Sequence, residues 1–349
     1  MAIVTVLGAG MMGSALCVPL ADAGHEVRLV GTHLDQEIVR SLQARGYHPK
    51  LALELPGAVR PFAVQELGQA LAGAHLVGVG VSSAGVRWAG EQLRPHLRPD
   101  QRVVMISKGL EWDGDRLWLL PDLLAESWPA ALRSVVQPTA VAGPCIAGEL
   151  ARRVETCVVL TGHDLSQLRE VRQLLGTSYY HLWLSSDLTG VQVCAALKNA
   201  YAMGVGLAAG LHEKAGGLGG GVAMHNYEAA VFAQATLEIQ CLATALGGRP
   251  TTLVGLAGTG DLNVTCNAGR TSRFGTLLGL GLSPSQAVER MGGSTLECLD
   301  ILRVLNEALP VLAERGLLRV RKLPLLEHLM LVALHGAGVA MPFAQFFET

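Results

Sequence analysis

The chain has 349 residues, 50% of them hydrophobic and 16% charged, with a formal net charge of -2. At ~150 residues per domain this length predicts two domains. The absence of a basic run leaves no electrostatic footprint for nucleic acid, so a small-molecule partner is expected. The apolar run Ala2-Ile3-Val4-Thr5-Val6-Leu7 reads as a buried strand, Gly8-Ala9-Gly10-Met11-Met12-Gly13 as a glycine turn, and Ser14-Ala15-Leu16-Cys17-Val18 as the start of a helix. That is the context a dinucleotide-binding turn requires. Gly8 permits the tight turn, Gly10 lets backbone approach a pyrophosphate, and Gly13 allows close helix-strand packing, with helix N–H groups facing the anion. A glycine turn without a ligand is the alternative reading.

Strand-like runs continue at residues 26–30, 75–81, 103–106, 140–142 and 156–160, most of them separated by helix-like segments such as 36–44 and 84–93. Strands alternating with helices predict crossover connections and a mainly parallel sheet, whose ligands collect beyond the carboxyl ends of the strands. The loops after Leu7, Val30, Val81, Ile106 and Ala142 are therefore of interest. After about residue 187 the texture changes to alanine- and leucine-rich stretches at 191–211, 223–245, 285–291, 296–315 and 322–335. These predict helices. The expected fold is α/β, with an N-terminal Rossmann-like dinucleotide-binding domain over residues 1–186. An all-α substrate-binding and catalytic domain follows over residues 187–349. The glycines between 216 and 221 read as a helix connection or a mobile loop. The alanine-rich stretch 229–245 packs in the core or between subunits, and a homodimer is the expected assembly.

Seven cysteines (Cys17, Cys145, Cys157, Cys194, Cys241, Cys266 and Cys298) are scattered without a Cys-x-x-Cys pair, and an odd number cannot all pair internally. A reducing compartment follows. The scatter of cysteines and histidines offers no metal-ligand spacing, and no metal is expected. No basic segment precedes the first strand, which argues against a signal peptide. Residues 200–211 are apolar but fall short of the ~20 residues a membrane span needs. A cytoplasmic protein is expected.

Lys198 and Asn199 interrupt an apolar helical run, with Val193-Cys194-Ala195-Ala196-Leu197 before them and Ala200-Tyr201-Ala202-Met203 after. A lysine on the inner face of such a helix loses hydration, which lowers its pKa and suits it to acid or base work. The alternative is a stem that snorkels to solvent. Gly255-Leu256-Ala257-Gly258-Thr259-Gly260-Asp261-Leu262 is a second glycine-rich turn carrying one carboxylate, and Thr265 and Arg270 follow within a short loop. An aspartate near the lysine would hold it charged and oriented. Arg270 offers a planar fork for phosphate or carboxylate, or is an ordinary solvated arginine. Ser107-Lys108-Gly109 and Gly143-Pro144-Cys145 each end a strand, at the sheet edge where cofactor and substrate would meet.

In order and spacing, Gly8 to Gly13, Ser107-Lys108-Gly109, Gly143-Pro144, Leu197-Lys198-Asn199 and Gly255 to Leu262 together resemble the NAD(P)-dependent glycerol-3-phosphate dehydrogenases. The likeness covers nearly the whole chain. Gly31-Thr32-His33 and Tyr47-His48-Pro49-Lys50 resemble the archaeal-type branch of that family. The resemblance implies reversible reduction of dihydroxyacetone phosphate to sn-glycerol 3-phosphate by a nicotinamide cofactor, feeding glycerophospholipid synthesis. On it, Lys198 matches the catalytic lysine, the proton acceptor in the oxidation direction. Lys108 and Asp261 align and polarise the C2 oxygen, with Asn199 beside them. Arg270 grips the substrate phosphate, Gly143 and Cys145 belong to a loop that touches the substrate, and Thr265 and Thr271 complete that set. The implied cofactor set is Gly8, Gly10, Met11, Met12, Gly13, Thr32, His33, Lys108, Ala147, Arg270 and Glu297. Hydride transfer changes the charge on the C2 oxygen, so a cation placed there favours the transition state over the ground state. The same amine exchanges a proton with that oxygen, helped by a neighbouring cation such as Lys108.

Several positions depart from the family pattern. The usual Ser-Arg-Asn reads Gly269-Arg270-Thr271, the usual Glu-Gly reads Glu297-Cys298, and Gln192 and Gln234 replace a glutamate and an arginine. Because these changes bear on the substrate, two other readings stay open. One is a reductase of another small 2-keto or 2-hydroxy compound; the other is a nucleotide-binding regulator without catalysis, against which the retained Lys108, Lys198 and Asp261 argue. No acid stands at Gly31, Thr32 or His33, where it would bind the ribose hydroxyls of NAD and repel a 2'-phosphate. Thr32 and His33 are compatible with that phosphate, which favours NADP over NAD by a small margin.

Overall fold

A computed structural model of the chain describes residues 1–217, 219, 223–267, 269–292, 296–318 and 323–347. Lys322 and, within the glycine cluster, Leu218, Gly220 and Gly221 lie outside the described residues. The chain divides into two compact units, one of Met1–Lys108 with Leu119–Leu188, the other of Gly109–Trp118 with Thr189–Thr349.

The first unit holds strands β1 (Ile3–Leu7), β2 (Glu26–Val30), β3 (Val59–Phe62), β4 (Leu76–Val79), β5 (Arg102–Met105), β6 (Thr139–Ala142), β7 (Thr156–Thr161) and β8 (Tyr180–Ser185). They form one sheet in the order β8-β7-β6-β5-β4-β1-β2-β3. Only β6 and β7 run antiparallel, with Val141 opposite Leu160; the other neighbours are parallel. A parallel sheet covered on both faces buries successive residues, which is why β1, β4 and β5 read as unbroken apolar runs. Val4, Val6, Val77, Val79, Val103 and Val104 are all fully buried. Helix α1 (Met11–Asp22) follows β1, α2 (Gln36–Arg45) follows β2, α3 (Val86–Leu93) follows β4, and α4 (Leu165–Leu175) joins β7 to β8. In α2 the buried residues are Ile38, Val39 and Leu42, one face of a helical turn, and Gly46 closes the helix at φ +66.

The second unit is helical, with α5 (Leu188–Lys214), α6 (His225–Ala245), α7 (Asp261–Asn267), α8 (Arg270–Gly279), α9 (Pro284–Arg290), α10 (Glu297–Glu314) and α11 (Pro324–His335). It also takes in the strand Leu110–Trp112, which pairs with Leu117–Leu119. Trp112 and Leu117 pack there against Ala308, Leu312 and Leu318. Thr265 and Arg270, expected in one short loop, instead lie on two successive helices, α7 and α8. Among the described residues no helix is long and apolar enough to cross a membrane.

Helix α11 begins on a buried acid. Glu238 of α6 accepts the N–H groups of Leu325 and Leu326 at 2.8 and 2.9 Å, the Tyr201 hydroxyl at 3.0 Å and the Gln234 amide at 2.8 Å. Burial raises this carboxyl above its usual range while the four donors pull the other way. Gln234 also accepts the Phe347 N–H at 3.1 Å. The glutamine that stands in place of an arginine thus takes part in the network at the start of α11.

Helices α5 and α8 touch backbone to backbone. Gly206 and Gly210 of α5 oppose Gly275 and Gly279 of α8, and a Cβ on Gly275 would lie 2.1 Å from the Met203 carbonyl oxygen. On Gly279 it would lie 2.3 Å from the Leu207 oxygen, and on Gly210 2.0 Å from the Thr276 oxygen. Because α5 carries Lys198 and α8 starts at Arg270, this contact sets the spacing between those two cations. Gly275→Ala is expected to destabilise the fold by about 1–3 kcal/mol through overpacking, read as a lower midpoint of thermal unfolding. A midpoint equal to wild type would contradict the contact.

Candidate active site

The glycine turn lies at the carboxyl end of β1. Gly8 has φ +110 and donates its N–H to the Val30 oxygen at 2.8 Å. A Cβ on Gly13 would lie 2.0 Å from the Gly8 oxygen, and one on Gly80, just past β4, 2.8 Å from the Gly13 Cα. Gly80 is thus a third party to the turn that the sequence pattern does not announce. Gly10 is different. Its backbone is ordinary, at φ -65 and ψ 177, and a Cβ there would meet nothing within 4 Å. The fold does not require glycine at this position, so the open cradle beside it is what glycine preserves. The cradle adjoins the start of α1, where Gly10 supplies no side-chain cap and Met11 and Met12 are the first helical residues. A pyrophosphate fits that arrangement of open space and helix N–H groups. Met11 is 44% exposed, whereas Met12 packs against the core.

Beyond β2, Thr32 is half-buried and His33 exposed, with the His33 ring edge-on to Trp88 at 5.5 Å. The Thr32 hydroxyl donates to Asp35 Oδ2 at 2.8 Å and accepts the Leu34 N–H at 3.2 Å. Its hydroxyl proton is directed to Asp35. Sequence reading missed Asp35, an acid four residues past Gly31 that the fold returns to the glycine turn. At the neighbouring strand ends, Lys108 Nζ donates to the Gly143 oxygen at 2.9 Å, and Ser107 Oγ to the Val81 oxygen at 2.6 Å. The sites after β5 and β6 are thereby brought together. Cys145 is half-buried against the core, and Ala147, which opens the short helix Ala147–Leu150, is buried in it.

In the helical unit Lys198 is 8% exposed and Asp261 fully buried, and Lys198 Nζ donates to Asp261 Oδ1. The snorkelling alternative is excluded. Residues Leu256–Gly260, expected as a glycine turn, form one π-helical turn that runs directly into α7, with Asp261 as its first residue. A Cβ on Gly258 would lie 2.2 Å from the Leu253 oxygen, so the turn closes only around glycine. Thr265 Oγ1 bonds back to the Asp261 carbonyl at 2.7 Å and holds the same turn of α7. Next to Lys198, Asn199 is buried and donates to Glu297 Oε2 at 2.9 Å. Glu297 is the first residue of α10, where an acid complements the helix dipole.

Arg270 is exposed at the first position of α8, and Gly269 before it gives no side-chain cap. Among the described residues no carboxylate pairs with it. An arginine at a helix start that no side chain caps suits an anion. Thr271, by contrast, is buried, and its side chain hydrogen-bonds the buried thiol of Cys298, whose titration burial pushes up to about 12. Two departures from the family pattern, threonine for asparagine and cysteine for glycine, therefore touch each other. Gln192 is fully buried on α5, and neither atom of its amide has a partner among the described residues.

A glycine turn at the edge of a parallel sheet, joined in one chain to a helical unit with a buried lysine-aspartate pair, defines a dinucleotide-dependent oxidoreductase. The chain belongs to the NAD-dependent glycerol-3-phosphate dehydrogenase family, whose N-terminal model matches residues 3–167 and whose C-terminal model matches residues 187–341. It is 36% identical over 289 residues to the NADP(+)-dependent glycerol-3-phosphate dehydrogenase of Archaeoglobus fulgidus, covering 83% of each chain. It is 37% identical over 295 residues to the glycerol-3-phosphate dehydrogenase [NAD(P)+] of Pectobacterium carotovorum, covering 82% of this chain and 80% of that one. The crystal structure of glycerol-3-phosphate dehydrogenase from Coxiella burnetii shares the fold, with a TM-score of 0.78 at 24% identity over 96% of this chain and 95% of that one.

Since Gly10 is glycine only for what approaches it, Gly10→Ala is expected to keep the wild-type thermal midpoint while raising the NADPH dissociation constant about tenfold or more. Calorimetric titration of both proteins checks this; unchanged affinity would contradict the cradle.

Proposed function

We propose that the chain catalyses the reversible reduction of dihydroxyacetone phosphate to sn-glycerol 3-phosphate, with NADP(H) as the preferred cofactor. The observation that carries this reading is the buried Lys198–Asp261 pair, with Asn199 adjoining it in sequence and Arg270 exposed at the uncapped start of α8 in the same unit. A nicotinamide held beyond the glycine turn would supply the hydride for C2. Lys198 Nζ gives its proton to the C2 oxygen as negative charge builds there, and takes it back in the oxidation direction. Asp261 accepts from the Lys198 ammonium and fixes it in place. Arg270 and the first N–H groups of α8 bind the phosphate dianion. Lys108 is assigned a polarising role from its match to the family, and Asn199 and Glu297 hold the flank of Lys198.

The preference for NADP is supported by the NADP-dependent relative from Archaeoglobus fulgidus and by the placement of the nearest acid. Asp35 directs Oδ2 to Thr32 and Ala9, and no acid stands at positions 31–33. We also propose a cytoplasmic homodimer supplying glycerophospholipid synthesis. The scattered cysteines, which form no disulfide among the described residues, support the compartment, and the alanine-rich stretch of α6 supports the assembly.

The test is NADPH oxidation against dihydroxyacetone phosphate concentration. Saturable turnover is expected, with Arg270→Met raising KM for dihydroxyacetone phosphate about 10–100-fold through loss of a charge-assisted bond. Absence of oxidation of NADPH or NADH at any substrate concentration would overturn the proposal.

A further inference from the structure

The glycine turn is held by two buried side chains that come from outside it. Asp35 Oδ2 accepts three hydrogen bonds: from the Ala9 N–H at 3.2 Å, the Thr32 N–H at 2.9 Å and the Thr32 hydroxyl at 2.8 Å. Asp35 is itself the residue before α2, where an aspartate ordinarily caps the helix, yet its side chain makes no cap. The carboxylate is drawn away from that role to the glycine turn. On the other side, His48 Nε2 lies 3.1 Å from the Ala9 carbonyl oxygen, and Nδ1 accepts the Leu51 N–H at 3.0 Å. Since Nδ1 accepts, Nε2 carries the proton, and the neutral ring donates to Ala9. His48 is fully buried, and Ser14 Oγ donates to the same oxygen at 3.1 Å.

The N–H of Ala9 belongs to the Gly8-Ala9 peptide and its carbonyl to the Ala9-Gly10 peptide, so both planes of the turn are pinned. A trans peptide directs its N–H opposite to its carbonyl. With the Ala9 oxygen turned inward to His48 and Ser14, the Gly10 N–H is aimed outward, on the residue whose missing Cβ leaves open space. We infer that Asp35 and His48 are positioning residues for the dinucleotide: they lock the two peptide planes around Ala9 so that the Gly10 N–H is presented to a cofactor phosphate before the cofactor arrives. A preformed donor saves the ordering that a loose glycine loop would undergo on binding. The inference rests on the reading of the turn as a dinucleotide site, and on no particular substrate.

The experiment measures NADPH binding to the free enzyme by fluorescence titration without substrate, alongside steady-state kinetics at saturating NADPH. Asp35→Ala and His48→Ala are expected to raise the NADPH dissociation constant about tenfold or more, leaving KM for dihydroxyacetone phosphate and kcat within about threefold of wild type. The pair His48→Gln and His48→Asn separates positioning from bulk stability. Glutamine places an amide N–H near the position of Nε2 and is expected to bind NADPH within about threefold of wild type, whereas asparagine is too short and is expected to bind about tenfold more weakly. That pair decides the matter if the alanine variants do not fold. Wild-type affinity in folded His48→Asn, or equal losses in His48→Gln and His48→Asn, would overturn the inference. A wild-type enzyme that binds NADPH but does not reduce dihydroxyacetone phosphate would refute the proposed substrate and leave the clamp standing.

Discussion

An ion pair taken out of water organises the chemistry of the helical unit. Neither the Lys198 ammonium nor the Asp261 carboxylate would be tolerated alone at such burial, and removing one partner of such a pair typically costs about 3–5 kcal/mol. The surroundings are arranged to keep them together. Helix α5 supplies the lysine from the middle of 27 residues whose neighbours, Leu197, Ala200, Tyr201 and Ala202, are fully buried. The π-helical turn Leu256–Gly260 delivers the aspartate as the first residue of α7. The glycine contact between α5 and α8 then fixes where Arg270 stands relative to Lys198. Mutations at the contact act on the spacing between Lys198 and Arg270, the proposed proton donor and phosphate anchor.

The dinucleotide unit follows a related logic with neutral partners. Its proposed anion site is made of backbone N–H groups, which carry no side chain to hold them in place, so the geometry must be imposed by neighbours. Gly80 and Gly13 press against Gly8 from within the fold, while Asp35, His48 and Ser14 hold Ala9. Only Gly10 is left without a close neighbour at its missing Cβ. On this division Gly8, Gly10, Gly13 and Gly80, chemically alike, are expected to respond to substitution in different ways.

Much of this was legible in the sequence wherever local pattern and tertiary role coincide. Strands β1, β4 and β5, buried between parallel neighbours, read as apolar runs, and so do β2, β6 and β7, although β6 and β7 pair antiparallel. The sheet edges did not: β3 is a four-residue Val-Arg-Pro-Phe, and β8 alternates around the exposed Trp183. Helices α7 and α8 escaped because glycines that pack backbones closely read as turns. Lys198, Asp261 and Arg270 could be named from motif order, but the direction of each side chain could not. Asp35 escaped notice, and His48 was seen only as part of a family-like motif with no role of its own, for a different reason. Their function is to bond a peptide 26 and 39 residues away, and a residue that acts on backbone at that range leaves no local signature. Conversely, Gln234 and Thr271 stood out as departures, yet they bond Glu238 and Cys298, so each substitution is absorbed by a neighbour.

The account turns on Lys198 and Asp261 acting as one catalytic unit. A double-mutant cycle with Lys198→Met and Asp261→Asn, reading kcat for NADPH-dependent reduction of dihydroxyacetone phosphate, tests that directly. Each single change is expected to lower kcat by about 10³-fold, and the double variant to fall less than about tenfold below the worse single, with NADPH binding retained in all three. Losses that multiply across the cycle, or a Lys198→Met enzyme within tenfold of wild type, would contradict it.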